Sequence, residues 1–457
     1  MQKRNVILLI ITLGAITLGF FIYLYMFPST KPLTQNTDSG SFNFFPFGST
    51  PKKGTTDNPA NISGIITNNP LTDNPVVNNA KIKKISSFPV AGYGIYNKQI
   101  FQNIPLETPS STPMIDQTAT STPKKAVAKT PAVKPTPPPT ILVTTVRYVN
   151  KETGNIYQTP ADNISETKYT ATIIPKIYES FFANNSGQVI MRYLKEDYKT
   201  IETYLGTLPV EVLGGDSTNT NEIKGSFLPE NITDMSVSPD ESNIFYLINS
   251  NNSTVGVTAG ALGDKKTQIF NSAFNGWITQ WPNAKIITIT TKAAAGYPGY
   301  MYSIDPSMKT INKVIGGISG LTTLMSPSGN FVLYNTSNNG TVSLNIYHTD
   351  TGNSDQLGIK TLPEKCVWAK ASSSLYCAVP RFMDSAKYPD DWYKGLISFG
   401  DEIWKVDLTN GNAKKIADSV QTTGEEVDGI KLGIDDGENY LFFINKKDGY
   451  LWELNLK

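Results

Sequence analysis

The chain has 457 residues, a formal net charge of +1, one histidine and two cysteines. That balance exerts no general pull on nucleic acid, and arginine stands only at Arg4, Arg147, Arg192 and Arg381. A single imidazole excludes most triad and zinc chemistry.

Met1-Gln2-Lys3-Arg4 is cationic, and Val6–Phe27 is an uncharged apolar run of 22 residues. A helix of about 20 apolar residues spans the bilayer hydrocarbon. The competing reading, a cleavable signal, calls for an apolar core of about 7–15 residues ending in small residues. This run ends in Phe20-Phe21-Ile22-Tyr23-Leu24-Tyr25-Met26-Phe27, bulky side chains suited to a membrane interface. The favoured reading is a retained anchor over residues 1–27. Lys3 and Arg4 then keep the N-terminus cytoplasmic and leave the rest extracytoplasmic, as a single-pass membrane protein.

Residues 28–80 are rich in Pro, Thr, Asn, Gly and Ser and read as a disordered tether. Phe42, Phe44, Phe45 and Phe47 make part of it sticky. Folded sequence begins near Lys81, with strands expected at Ile82–Ser86 and Val90–Tyr96. A second low-complexity stretch, 105–140, is rich in proline and carries Lys124, Lys125, Lys129 and Lys134. It reads as a solvated insertion, with contact to anionic wall polymers as the alternative.

From Ile141 onward, short strands alternate with turns. One pattern recurs at Asn184-Asn185-Ser186-Gly187, Ser238-Pro239-Asp240-Glu241, Trp281-Pro282-Asn283-Ala284, Ser326-Pro327-Ser328-Gly329, Ala371-Ser372-Ser373-Ser374 and Asp435-Asp436-Gly437-Glu438. Each copy precedes an apolar strand, and the copies mostly recur at a spacing of about 40–50 residues, the mark of a β-propeller with four strands per unit. The expected fold is all-β: a β-propeller over 81–457 of seven four-stranded blades, with six or eight left open. The last unit lacks an outer strand. Lys81-Ile82-Lys83-Lys84-Ile85-Ser86 matches the outer strand Asn412-Ala413-Lys414-Lys415-Ile416-Ala417 of the unit before it, so the N-terminal strand is expected to close the ring.

The Ser-Pro-(Asp/Ser)-(Gly or small) turn followed by an apolar strand resembles the WD40-like repeat of TolB-type propellers. The resemblance covers about 81–457 and is specific at the turns alone. No Trp-Asp dipeptide ends the third strands, and the companion N-terminal domain of TolB has no counterpart. It implies the fold and a bias toward protein binding.

Patterns for catalysis, metals and cofactors are missing. His348 reads as a polar residue near a turn, and no nucleophile elbow follows the repeats. Asp435-Asp436-Gly437-Glu438-Asn439 lacks the spacing of an EF-hand loop. Cys366 and Cys377 flank one landmark turn and read either as a disulfide across a hairpin or as two separate buried thiols.

The strongest binding candidate is the long connection Pro380–Asp401, where the other units are expected to use about four to eight residues. It carries Arg381, Phe382, Tyr388, Asp390, Asp391, Trp392, Tyr393 and Lys394. Aromatic residues and arginine make binding hot spots; the alternative is a loop folded back to cap its own blade with Trp392. The connectivity puts this loop on the face opposite the tether and the Pro-rich insertion. The favoured function is an interaction module for an envelope protein partner. A carbohydrate- or wall-polymer-binding propeller is the alternative, and an enzyme of unrecognised chemistry stands third.

Overall fold

The computed structural model describes residues 81–102, 138–161, 163–211, 213, 221–250, 253–338 and 340–457. The anchor, the tether and most of the insertion expected above lie outside the described residues. Among the described residues no helix is long and apolar enough to cross a membrane.

Seven antiparallel four-stranded sheets form the blades of a propeller. Blade 1 comprises Val90–Phe101, Thr140–Asn150, Ile156–Pro160 and Thr167–Lys168. Blade 2 comprises Ile177–Ala183, Gln188–Leu194, Ile201–Thr207 and Lys224–Phe227, and blade 3 Ile232–Val237, Asn243–Ser250, Ser253–Gly260 and Thr267–Ser272. Blade 4 comprises Trp277–Asn283, Ile286–Thr291, Pro298–Ile304 and Ile311–Ser319, and blade 5 Thr323–Met325, Phe331–Asn338, Thr341–His348 and Ser354–Gln356. Blade 6 comprises Cys366–Trp368, Ser374–Pro380, Asp401–Asp407 and Asn412–Asp418. Blade 7 comprises Gly429–Ile434, Tyr440–Asn445, Leu451–Asn455 and, as its outer strand, Ile82–Lys84.

Second strands are covered on both faces by neighbouring blades, which is why they read as continuous apolar runs. Every residue of Ser374–Pro380 and of Tyr440–Asn445 is buried. The outer strand Lys224–Phe227, by contrast, is exposed throughout.

The landmark turn is built by one hydrogen-bond pattern. Ser326 Oγ accepts from Phe331 N at 3.1 Å, Ser238 Oγ from Asn243 N at 2.9 Å, and Asp435 Oδ1 from Tyr440 N at 2.6 Å. The fourth turn residue is left-handed in each: Gly329 (φ 77°), Glu241 (φ 56°) and Glu438 (φ 51°). In blade 6 the equivalent turn is Ala369–Ser372, with Ser372 at φ 57°, two residues earlier than the sequence pattern places it. Blade 4 keeps only a tighter reversal, with Asn283 paired to Ile286. Neighbouring turns bond to each other, as Ser328 N does to Ser372 Oγ at 3.0 Å.

Ring closure follows the expectation. Ile82 pairs with Leu454, Lys83 with Glu453 and Lys84 with Trp452, and Ile82 is fully buried. The segment expected as an insertion leaves from between the first two strands of blade 1. Cys366 and Cys377 stand directly opposite in register and are joined as a disulfide.

Candidate functional site

In blade 6 the second strand ends at Pro380 and the third begins at Asp401, whereas the same connection spans two residues in blade 3 and six in blade 2. The long loop lies on the face carrying the connections between second and third strands and the links between blades. The landmark turns occupy the other face, as do Phe101 and Thr140, the paired residues that flank the segment expected as an insertion; that segment itself lies outside the described residues.

The loop folds back onto the propeller. Tyr388, Trp392 and Phe399 are buried together with Val342 and Leu362. Trp392 and Tyr388 each stack on Phe399, with ring centroids 6.1 Å apart. Burying an aromatic ring stabilises by roughly 2–3 kcal/mol. Polar contacts pin the loop to several blades. Asp390 accepts from Ala295 N in blade 4, Ala386 N donates to Gly340 O in blade 5 at 3.2 Å, and Tyr393 Oη donates to Glu364. Asp391 accepts from Lys387 N at 2.9 Å, bracing its own short helix Asp390–Tyr393. Arg381 pairs with Asp418 and lies 3.8 Å from Glu402.

Two expected binding residues therefore change role. Trp392 and Tyr388 have no face free to stack on a ligand, because packing against Phe399 consumes their apolar surface. Phe382 and Lys394 remain outward, as does Leu396, with Phe382 86% and Leu396 70% exposed. Tyr297, in the matching connection of blade 4, stands 73% exposed on the same face.

Beneath the loop lies a cluster that sequence reasoning missed. Lys365 Nζ donates to Asp428 Oδ1 at 2.5 Å, Asp401 Oδ2 at 2.7 Å and Gly429 O at 3.1 Å, and all three charged side chains are fully buried. Asp428 Oδ2 also accepts from Trp392 Nε1 at 3.0 Å, Phe399 N at 3.1 Å and Ser398 Oγ at 3.2 Å. Asp401 Oδ2 accepts from Gly429 N at 2.6 Å, while its Oδ1 has no partner among the described residues. Burial pushes Asp401 up to about 6. Burial also works on Asp428 and Lys365, but their attraction for each other, joined by Asp401 and the donors around Asp428, outweighs it. Asp428 is thus held below the ordinary carboxylate range and Lys365 above the ordinary lysine range. Glu364, next in sequence, is pushed up to about 7 by burial. Lys365 lies 36 positions from Asp401 and 63 from Asp428, a separation that local pattern cannot bridge. The available signal is a lysine immediately before the strand Cys366–Trp368, in Pro363-Glu364-Lys365-Cys366-Val367-Trp368.

At the opposite end a cleft of about 670 Å³ opens among Tyr93, Tyr96, Phe181, Asn185 and the turn carboxylates Glu241 and Asp436. Lys431, left-handed at φ 50° in an irregular stretch of blade 7's first strand, reaches Glu179 of blade 2 at 3.1 Å. Bulges of this kind re-aim side chains. Arg192 also bonds Glu179, and burial pushes Asp234, which accepts from Thr279 N at 2.6 Å, up to about 7. Among the described residues no group of three or more His, Cys, Asp or Glu is placed to hold a metal. His348 pairs with Asp355 at 3.0 Å near the outer strand of blade 5.

No protein-family model matches the chain, and no curated protein matches it in sequence. Solved structures are similar in fold. TolB from Acinetobacter baumannii shares 11% identity at a TM-score of 0.36, over 66% of this chain and 60% of that one. An oligogalacturonate lyase in complex with manganese shares 10% identity at a TM-score of 0.43, over 68% and 85% of the two chains. A putative 6-phosphogluconolactonase from Bacteroides fragilis shares 14% identity at a TM-score of 0.40, over 67% and 90%. The chain spans less than two thirds of the TolB chain, and what these proteins bind or convert belongs to them.

Proposed function

We propose that the chain is an interaction module of the cell envelope, anchored through residues 1–27, with its propeller extracytoplasmic and its loop face turned to a protein partner. The observation that carries this reading is a long loop fixed from within while Phe382 and Leu396 stand 86% and 70% exposed. A preorganised loop loses little entropy on binding, and exposed apolar side chains on a rigid support make good anchors. The cationic tip and apolar run at the N-terminus support the anchor, and the Cys366–Cys377 bond suits an oxidising compartment. A protein partner is favoured over a glycan because Trp392, the best stacking platform in the loop, is 3% exposed.

A photo-crosslinking residue placed at Phe382 in the full chain, in cells, tests this. The expected result is a discrete protein adduct that is lost when the probe is moved to Asp436 on the opposite face. A carbohydrate adduct, or equal labelling from both faces, rejects the proposal.

A further inference from the structure

Anchoring a loop does not by itself call for an ammonium sealed between two carboxylates. Lys365 Nζ lies 2.5 Å from Asp428 Oδ1 and 2.7 Å from Asp401 Oδ2, with all three side chains fully buried. The centroids of the Trp392 and Phe399 rings lie 5.2 Å from Nζ and wall the site. Holding these charges away from water is costly, and turning a buried ion pair into a neutral group relieves that cost.

We infer that Lys365 and Asp428 condense into an intramolecular amide, with Asp401 moving the protons. Asp401 takes one proton from the ammonium, and the freed nitrogen lone pair attacks Cγ of Asp428. Asp401 passes that proton to Asp428 Oδ1 as the N–C bond forms. Negative charge gathers on Oδ2, where the Trp392 indole N–H, the Phe399 backbone N–H and the Ser398 hydroxyl already converge at 3.0, 3.1 and 3.2 Å. Preorganised donors around a developing oxyanion lower the barrier to such an addition. A second nitrogen proton travels through Asp401 to Oδ1. Oδ1 then leaves as water and the Oδ2 carbonyl re-forms.

The step balances without oxidant, reductant or cofactor. Two of the ammonium's three protons and one carboxylate oxygen depart as water, and Asp401 ends ionised, as it began. Oδ1 of Asp401, which has no partner among the described residues, leaves that carboxyl free to exchange protons. Asp428 is the acceptor because its second oxygen has three donors, whereas the donors to Asp401 among the described residues, Lys365 Nζ and Gly429 N, both meet its Oδ2. The product ties the entry of blade 6 to the entry of blade 7.

The intact mass of the full chain, denatured and reduced so that the disulfide contributes nothing, reads the bond directly. It is expected one water lighter than the sequence mass. Trypsin should fail to cut after Lys365 and release a branched peptide joining residues 361–370 to 416–431. A mass equal to the sequence mass overturns the inference, and a branch to 395–405 overturns the assignment of Asp428 as acceptor. Asp401→Asn should restore the full mass while circular dichroism still reports the folded propeller. Retained mass loss in that variant removes Asp401 from the chemistry.

Discussion

Trp392 donates its indole N–H to Asp428 at 3.0 Å, the same carboxylate that receives Lys365 at 2.5 Å. The outer loop and the inner ion cluster are thus one unit, with the ring serving as both lid and hydrogen-bond donor. Trp392→Ala removes ring and donor together, and large-to-small core changes of this kind cost about 3–5 kcal/mol. Trp392→Phe keeps most of the volume and removes the donor, at a cost of about 1–3 kcal/mol. Denaturant unfolding of both variants measures the order. A Trp392→Phe variant as stable as the parent would show that the hydrogen bond to Asp428 contributes nothing.

Phe382 and Leu396 make the opposite case. Both are outward, and surface changes away from buried features usually stay within about 0.5 kcal/mol. The double variant Phe382→Ser, Leu396→Ser should therefore melt like the parent while losing the partner adduct. A marked drop in melting temperature would mean that these side chains pack in solution.

Glu364 makes stability fall with rising pH. Burial lifts its pKa from 4.5 to about 7 in the folded chain. Between those values the folded state holds a proton that the unfolded chain has released, so unfolding releases a proton and stability declines as pH rises through the window. The contribution is fully present below the unfolded value and lost above the folded one. Glu364→Gln keeps an acceptor for Tyr393 and removes the titration. Its stability should change less than the parent's between pH 5 and 7, on the order of 1 kcal/mol less per pH unit. Parallel pH profiles would contradict this.

The scaffold was legible because its rules are local. A Ser or Asp that caps a turn five residues ahead, and a strand apolar on both faces, leave marks readable within ten positions. Closure was legible because Lys81–Ser86 copies a pattern seen in blade 6. The blade 6 turn was misplaced by two residues because the serine run Ala371–Ser374 offers several polar starts, and the left-handed residue, Ser372, is not a glycine. Loop residues have no periodicity, so nothing local separated buried Trp392 from exposed Phe382. The Lys365 cluster is set entirely by tertiary packing between blades.

The disulfide closes a short loop, Cys366 and Cys377 standing 11 positions apart in sequence. Chain-entropy reasoning assigns a loop of this size about 3 kcal/mol. Both residues sit in a core with Trp368 and Leu375, so Cys366→Ala, Cys377→Ala also trims packing. Reduction without substitution isolates the cross-link. It should lower the denaturant midpoint by the equivalent of about 2–3 kcal/mol. An unchanged midpoint would place the whole effect of the double variant in packing.

Ile82 is the test of ring closure. Its side chain is fully buried in the blade 7 core beside Trp452 and Leu454, although it is separated from them by nearly the whole chain. Ile82→Ala should cost about 2–5 kcal/mol. Hydrogen exchange gives the sharper reading, because the strand Ile82–Lys84 covers the otherwise open edge of Leu451–Asn455. Amides of Leu451–Asn455 should lose protection in the variant, while those of blades 3 and 4 exchange as before. Uniform loss of protection across all blades would mean that the propeller opens as a single cooperative unit and that the first-to-last pairing is not its weakest seam.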